Sequence, residues 1–449
     1  MTMNIKIKRG YDIKLKGIAQ KEVQNLTISH YALKPTDFHG LLPKLLARVG
    51  DKVKRGTPIF FDKKREYIKI PSPVSGTITE VVRGAKRKML EIKIEADAND
   101  EFVSYTKAQP SSMDSKAITE QLIESGLWSL IRQRPYTVVA HPEDKPKAIY
   151  ISGFDTAPLA ADIDFILSGK EESFQAGVDA LAKLTDGKVN LGINAKSSTG
   201  FFSNIKNVDF NTFSGPHPAG NVGIQIHHTS PINKGETVWI VQAQDVATIG
   251  DLFLTGEYKP EITIALAGSE VIAPQYYKIN RGSCISDIIK DKLNTNDSLR
   301  IISGNVLTGN NIGNKGALSY YHNAITVIPE GNKFEFFGWL IPSPKKHSFY
   351  RTAFSWLTPK KEYALNTNLN GGERAFVFTG QMEKVFPMDI LPIQLIKSIM
   401  INDIDMMENL GIYEVDEEDF ALCEYISTSK IDIQKILREG LDELRKEMS

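Results

Sequence analysis

The most restrictive feature of this chain is a set of glycine-bounded turns at fixed offsets inside a run of short strand signals. Val49-Gly50-Asp51-Lys52-Val53 and Arg55-Gly56-Thr57-Pro58-Ile59 each give a turn and then a strand, and Pro71-Ser72-Pro73-Val74-Ser75-Gly76-Thr77-Ile78 opens another. A further hairpin turns at Arg83-Gly84 and returns through Leu90-Glu91-Ile92-Lys93-Ile94. Glycine supplies the backbone freedom that tight reversals need. Strands between Leu41 and Glu95 therefore fold back on one another at close intervals, which a small β-sandwich satisfies. Ahead of them, Asn4 to Leu15 sets Ile5 and Ile7 among lysines and reads as a half-buried strand.

That order of turns and strands resembles the sandwich of lipoyl and biotinyl domains. In carriers of that fold a lysine at the intervening hairpin tip receives the prosthetic group. Here the tip is Asp62-Lys63-Lys64-Arg65-Glu66, which reads as a solvated basic hairpin, with a modifiable lysine as the alternative. From Ser112 the pattern changes. Ile118, Leu122, Ile123, Leu127, Leu130 and Ile131 share one helical face, Lys147 to Gly153 is a strand, and Phe174, Val178, Leu181 and Leu184 line a helix. Strands recur at Val189 to Ile193, Val208 to Phe213 and Thr237 to Val241, an alternation that predicts a parallel, Rossmann-like sheet.

Beyond Lys259, Ile262 to Leu266 is a strand, Arg281-Gly282-Ser283 leads into a short helix with Ile285, Ile288 and Ile289, and Arg300-Ile301-Ile302 follows. Together they make a β-grasp-like unit of the soluble-ligand-binding type. The carboxyl third opens with strands at Ala324 to Pro329 and Phe334 to Ile341, then turns helical. Ile390 to Leu410 is amphipathic and stops at Gly411, and Asp432 caps a last helix with Ile431 and Ile436 spaced as a staple and Leu437, Leu441 and Leu444 on its buried face. The fold class is thus multi-domain α/β and α+β. The boundaries are 1–105 for the opening strand and sandwich, 106–256 for the Rossmann-like domain, 257–330 for the β-grasp domain and 331–449 for the mixed, then helical, carboxyl domain.

Charge and cysteine usage exclude several function classes. Lys+Arg and Asp+Glu both number 54, so the basic excess that neutralises phosphates is missing and no nucleic-acid partner is expected. Cys284 and Cys423 are the two cysteines, too few for a Cys₄ iron–sulfur cluster or a disulfide framework. No run of about 20 apolar residues occurs, and the amino terminus MTMNIKIKRG lacks the apolar core of a signal peptide. Membrane contact is therefore expected only through partners.

A Rossmann-like sheet invites a search for phosphate-binding glycines. No G-x-G-x-x-G follows a strand and no G-x-x-x-x-G-K-[ST] occurs. Gly304, Gly309, Gly313 and Gly316 are spaced wrongly and read as loop. His217 and the pair His227-His228 are poor zinc ligands, since neighbours on a strand face opposite ways, so no metal is expected. Cys423, in Phe420-Ala421-Leu422-Cys423, reads as a buried helical cysteine. No nucleophile elbow or H-E-x-x-H appears, and no catalytic residue is assigned. The distinctive stretch is Ser214 to His228, SGPHPAGNVGIQIHH. Pro216 and Pro218 stiffen it, while Gly215 and Gly220 admit close backbone approach. A rigid loop after a strand falls at the carboxyl edge of a parallel sheet, where ligands bind. Gly215, Pro216, His217, Pro218 and Gly220 thus form either a ligand loop or a docking surface for another protein.

SGPHPAGNVG at 214–223, SGNVLTG at 303–309, YHNAITVIPEG at 321–331, FFGWLIP at 336–342, NGGERAFV at 370–377, MDILPIQLI at 388–396 and EVDEEDFALCEY at 414–425 together resemble the NqrA family, the A subunits of the sodium-translocating NADH:quinone oxidoreductases. The similarity runs the length of the chain. The family in turn resembles the flavoprotein subunit of respiratory complex I and the cluster-bearing C subunit of the Rnf complex. Those relatives hold flavin or nucleotide on a glycine-rich loop where this chain reads Gly126-Leu127-Trp128-Ser129-Leu130. The family often carries a second cysteine and Pro-Gly-Lys after the first, whereas here Cys423 is followed by Glu424-Tyr425-Ile426-Ser427.

The resemblance implies a peripheral subunit on the cytoplasmic side of a bacterial inner membrane, within a six-subunit complex. Its chief neighbour there would be the membrane-embedded B subunit. The resemblance also implies no tightly bound cofactor, quinone as the substrate of the complex, and sodium export. A quinone ring wants aromatic walls and one or two donors; Phe38, His39 and Trp128 are the expected candidates. The alternative is an adaptor that only assembles the complex.

Overall fold

The computed structural model describes residues 3–196, 200–294, 298–332, 335–338, 340–341 and 343–448. Among these, four sheets form the frame. The sandwich predicted from the glycine turns pairs His30–Leu33, Met89–Ala96, Gly76–Arg83 and Lys52–Val53 in one sheet, and Pro43–Leu45, Pro58–Asp62 and Arg65–Pro71 in the other. Ile59, Phe60, Ile68, Ile70, Ile78 and Ile92 fill its interior without exposure. Its basic hairpin tip is docked. Buried Asp62 accepts from the Leu42 N–H (3.2 Å) and from Arg65 Nε (2.9 Å), and Arg65 also donates to the Val139 carbonyl (2.9 Å).

The first 25 residues are shared between two other sheets. Met3–Lys6 runs parallel to Asp209–Ser214 at the edge of a seven-stranded sheet, and Gln20–Asn25 pairs with Gln275–Asn280 at the edge of a six-stranded one. The strand expected over Asn4 to Leu15 is therefore short, but Ile7, Ile13 and Leu15 beyond it are buried.

The seven-stranded sheet runs Met3–Lys6, Asp209–Ser214, Lys188–Asn194, Ala148–Ser152, Val238–Ile240, Arg132–Arg134, Val138–Val139. The first five are mutually parallel, and the last two form an antiparallel edge. The chain moves outward from Ala148–Ser152 in one direction and then returns on its other side at Val238–Ile240. That reversal is a topological switch point, with its crevice at the carboxyl ends of the two strands. Helices Glu171–Ala182 and Ala243–Thr255 cover one face; Gly177 and Gly250 lie where a side chain would strike the other helix's backbone. The β-grasp unit adds the strands Glu261–Ala267, Gln275–Asn280, Leu299–Ser303 and Ala324–Pro329 around the helix Ile285–Ile289.

The carboxyl third departs from expectation in three places. Within 334–341, the described residues turn instead of extending: the Gly338 N–H reaches the Glu335 carbonyl (2.9 Å) and Leu340 reaches Phe337 (2.9 Å), while 334 and 339 lie outside the described residues. The helix expected over Ile390 to Leu410 is two helices, Pro392–Met400 and Ile404–Asn409. Asn402 at φ +54 breaks it, and Asp403 caps the second piece by accepting from the Met406 N–H (3.0 Å). Gly411, at φ +87, ends it as expected. Asp432 holds the N-cap position of Ile433–Glu447 without a capping bond from its carboxylate, whereas Leu437, Leu441 and Leu444 are fully buried. No helix among the described residues is long and apolar enough to cross a membrane.

Candidate functional site

The switch point holds a cavity of about 160 Å³. The strand ends give it Ser152, Ile240 and Val241; the following loops give Phe154, Asp155 and Gln242; the proline-rich loop gives His217, Gly220 and Asn221. Each part has a local cause. Gly215 is at φ +130 against the backbone of Ile7, so no side chain fits there. The His217 N–H donates to Asp12 (2.8 Å), and its carbonyl accepts from the Tyr11 N–H (2.8 Å). Its ring shares a bond with the Thr156 hydroxyl (3.1 Å), which accepts from the Gly220 N–H (3.0 Å). Burial pushes the His217 ring down to about 4, so it is neutral at pH 7. The segment with Gly215, Pro216, His217, Pro218 and Gly220 is thus held by the amino-terminal segment and the 153–158 loop, and its His217–Gly220 end faces the cavity.

Arg132 and Gln242 also line the cavity and are held from behind by Tyr321. Arg132 lays its guanidinium 4.4 Å over the Tyr321 ring, and Gln242 Nε2 donates to the Tyr321 carbonyl (2.8 Å). Desolvation raises the Asp155 carboxyl, offset by the N–H groups of Ala157 and Thr156.

The third wall comes from the carboxyl domain. Helix Glu417–Ile426 opens at the crevice with Asp416 and Asp419 in a capping box. Arg134, buried in its edge strand, donates to Asp419 (2.9 Å) and Glu418 (2.6 Å). Arg438 donates to Asp416 (2.7 Å), to Glu417 and to the Tyr136 carbonyl (2.8 Å). Thr137 donates to Asp416 (2.8 Å). Burial and the neighbouring Asp416 push Glu417 up to about 8, and burial pushes Glu418 up to about 7, while bonds and the two guanidiniums hold Asp416 low. Arg132, Arg134, Asp155, Asp416 and Glu418 are not singled out by sequence reasoning. The available signals were two arginines beside an apolar run at Ile131 and an acidic run from Glu414 to Asp419.

The turn at the position where the resemblance leads one to expect a glycine-rich loop does not line the cavity. Leu127–Leu130 is a one-turn 3₁₀ helix whose four side chains are all buried, entered through Gly126 at φ +76. Its N–H groups serve the turn itself: Leu127 to Ser125 Oγ (3.4 Å), Ser129 to the Gly126 carbonyl (3.3 Å), and the following Ile131 to Trp128 (3.0 Å). The Trp128 indole packs edge-on against Trp239 (5.4 Å) and donates to the Ala140 carbonyl (2.8 Å). Phe38 is likewise core, packed on Phe60, Tyr320 and Tyr321. Tyr321 joins these groups, since its hydroxyl donates to the Ser129 carbonyl (2.6 Å) while its ring carries Arg132. His39 does not line the cavity, but it lies within electrostatic reach of Arg438, Asp416 and Arg132. It lies at the surface, next to Gly40, whose carbonyl accepts from Arg445 of the last helix (3.4 Å).

His227 and His228 sit on helix Val222–Thr229 and not on a strand, because the glycines and prolines before them form the turn that starts the helix. They still diverge: His227 meets Glu414 (2.8 Å) and the Asp389 N–H (3.1 Å), and His228 donates to the Pro387 carbonyl (2.9 Å). Both pin the carboxyl domain. Among the described residues no group of three His, Cys, Asp or Glu side chains is placed to hold a metal. Burial raises the thiols of both cysteines, Cys284 to about 11 and the fully buried Cys423 further.

Comparison with known proteins covers most of the chain. Residues 5–97 match the family described as the NqrA N-terminal barrel-sandwich hybrid domain, 113–258 the NqrA second alpha/beta domain, and 263–313 the NQRA C-terminal domain. The A subunit of the Na(+)-translocating NADH-quinone reductase of Yersinia pestis bv. Antiqua (strain Angola) is 37% identical over 447 residues, covering 99% of this chain and 100% of that one. Proteins of the same name from Marinomonas sp. (strain MWYL1) and Neisseria meningitidis serogroup B (strain ATCC BAA-335 / MC58) are 36% and 37% identical, over 98% and 99% of this chain and 99% and 100% of theirs. A chain from a crystal structure of an NAD+-reducing [NiFe]-hydrogenase in the air-oxidized state aligns over 75% of this chain and 62% of its own, with a TM-score of 0.39 and 9% identity.

Proposed function

The chain belongs to the NqrA family, the A subunits of the Na(+)-translocating NADH-quinone reductases, and from that premise we propose that it shapes a quinone pocket while carrying no redox cofactor of its own. Within such a reductase it is part of a translocase that couples electron transfer to quinone with sodium transport. In this reading it sits peripherally on the cytoplasmic face of the membrane, with the membrane-embedded B subunit its chief partner.

One observation carries the proposal. The turn Leu127–Leu130, which stands in the chain where the cofactor-bearing relatives are expected to carry a glycine-rich loop, is closed on itself, with Leu127, Trp128 and Leu130 buried. A group held through a diphosphate or flavin phosphate has no cradle there. The cavity at the switch point keeps what a quinone ring uses: apolar sides from Phe154, Ile163 and Leu307, and donors from Arg132 and Asn323. Phe38 and Trp128 enter as supports of Tyr321 and Arg132, and exposed His39 is available to a neighbouring protein of the complex. The purely structural adaptor reading predicts no ligand in the cavity.

The two readings separate in solution. A short-chain quinone should saturate the full chain, by itself or with the B subunit, in saturation-transfer NMR, and Phe154→Ala should weaken it roughly tenfold, the loss of one aromatic wall. Absence of saturable binding in both settings removes the pocket. Stoichiometric flavin in the absorption spectrum of the isolated chain removes the cofactor-free role.

A further inference from the structure

Between Gly331 and the helix at Pro392 the described residues form one-turn helices and loops. This lobe is anchored at its base. His347 bonds both the Tyr425 hydroxyl (2.8 Å) and the Tyr11 hydroxyl (3.1 Å), and Tyr350 donates to the Ile426 carbonyl (2.9 Å). Its two outer turns are tied together: Lys346 donates to the Gly338 carbonyl (2.7 Å), Lys361 to the Pro344 carbonyl, and Ser355 to the Ser348 carbonyl (3.0 Å).

Beyond that rigid base several large apolar side chains face water. Phe336 is 74% exposed, and Leu340, Ile341, Phe354, Trp356 and Leu357 each expose more than half of their surface. Clustered exposure of this kind marks an interaction surface. The charges around it are one-sided. Over residues 335–361 there are five basic residues, Lys345, Lys346, Arg351, Lys360 and Lys361, against Glu335 alone, and Lys346 pairs with Glu335. The whole chain is formally neutral, so this excess is segregated here.

We propose that the lobe 335–361 seats directly on an anionic lipid surface, with Phe336, Leu340, Phe354 and Trp356 entering the headgroup layer and Lys345, Lys360 and Arg351 meeting lipid phosphates. Aromatic side chains at turn tips flanked by Lys and Arg suit a deformable interface of that chemistry: rings settle at headgroup depth, and long basic side chains reach outward to phosphate. A flat protein partner would instead require complementary pockets for six projecting side chains on separate turns. Lipid contact adds to attachment through partner proteins and does not depend on the quinone pocket.

Co-sedimentation of the full chain with phosphatidylcholine vesicles, with and without phosphatidylglycerol, tests this. Binding is expected only with the anionic lipid and falls steeply with salt. Phe336→Ser with Trp356→Ser should lower the partition coefficient more than tenfold at unchanged Tm, and Lys345→Glu with Lys360→Glu at least tenfold at low salt, since each basic residue near the surface is worth roughly fivefold. Failure to bind anionic vesicles, or equal binding by the double variants, overturns the proposal. If the chain ignores vesicles while the same variants lose co-purification with the membrane-embedded partners, the lobe is a protein-docking surface and the lipid assignment is wrong.

Discussion

Two one-turn 3₁₀ helices of nearly the same composition meet opposite fates. Leu127–Leu130 carries Trp128, and Ser355–Leu357 carries Trp356. Each is entered through a residue in the left-handed region, Gly126 at φ +76 and Phe354 at φ +56. Trp128 is 1% exposed, its N–H bonded and its ring against Trp239; Trp356 is 51% exposed and beneath the guanidinium of Arg351 (5.4 Å). The first turn buries its tryptophan in the core and keeps its backbone N–H groups for itself. The second presents aromatic surface outward. Local sequence sets the turn in both cases, and the neighbours it meets decide whether a tryptophan is packed away or presented.

The sharpest way to break that comparison is to delete both rings. Trp128→Ala removes a fully buried ring and leaves the Ala140 carbonyl unbonded, so it should cost about 3–5 kcal/mol by chemical denaturation. Trp356→Ala should stay within about 0.5 kcal/mol of the parent. Equal effects would show that the two turns are not differently packed. Gly126→Ala is the next largest. An added Cβ lies 2.8 Å from Pro71 and 2.9 Å from the Lys69 carbonyl at a φ that favours glycine, and the expected loss is about 1–3 kcal/mol.

How far each turn is legible from sequence follows the same division. The sandwich, the parallel sheet and the β-grasp unit rest on local signals: glycines at fixed offsets and apolar residues with period two or 3.6. The missing phosphate glycines are equally local, whereas Trp128, expected at a ligand, is packed in the core against Trp239. Of the cavity, only the His217–Gly220 wall is legible, because Arg132 and Glu418 are far from it in sequence and joined to it only by topology. His227 and His228 leave the strand expected of them because the glycine-proline stretch before them starts a helix instead of prolonging the strand. The break at Asn402 is hidden by an amphipathic period that persists across it. Exposure of the 335–361 lobe has no sequence signal at all, since Phe336 and Trp356 look like core residues until their surroundings are known.

The acidic helix start at the crevice sharpens the buried side of the comparison through pH. Glu417 and Glu418 hold protons in the folded state up to about 8 and about 7, against 4.5 for the free side chain. These two carboxyls therefore bind more protons in the folded chain than in the unfolded one, and their contribution to stability falls as pH rises from about 4.5 to about 8, whereas the neutral rings of His39, His217 and His322 act oppositely below about 6.5. The slope is at most about 1.4 kcal/mol per pH unit for each proton, and less for Glu418, whose side chain is about a third exposed. Asp416 acts oppositely, its contribution being lost only in strong acid. Thermal melts between pH 7 and 8, above the range in which the histidines of the unfolded chain titrate, should show a declining Tm, and Glu417→Gln with Glu418→Gln should flatten the decline. A Tm that rises over this range would contradict the proton assignment.

The smallest effect isolates the backbone of the exposed turn. Phe354 adopts a left-handed φ that costs a non-glycine residue about 1 kcal/mol. Phe354→Gly relieves that strain but adds about 0.5–1 kcal/mol of unfolded-state entropy. Because the ring is more than half exposed, little packing is lost, and the two terms should cancel to within about 0.5 kcal/mol in urea titration. The matching change at the buried turn has no such balance, since Gly126 already has the freedom its φ needs and any side chain there meets Pro71 and Lys69. A loss above about 1 kcal/mol in Phe354→Gly would mean that its ring packs within the lobe, and the contrast between a filled turn and a presenting one would shrink accordingly.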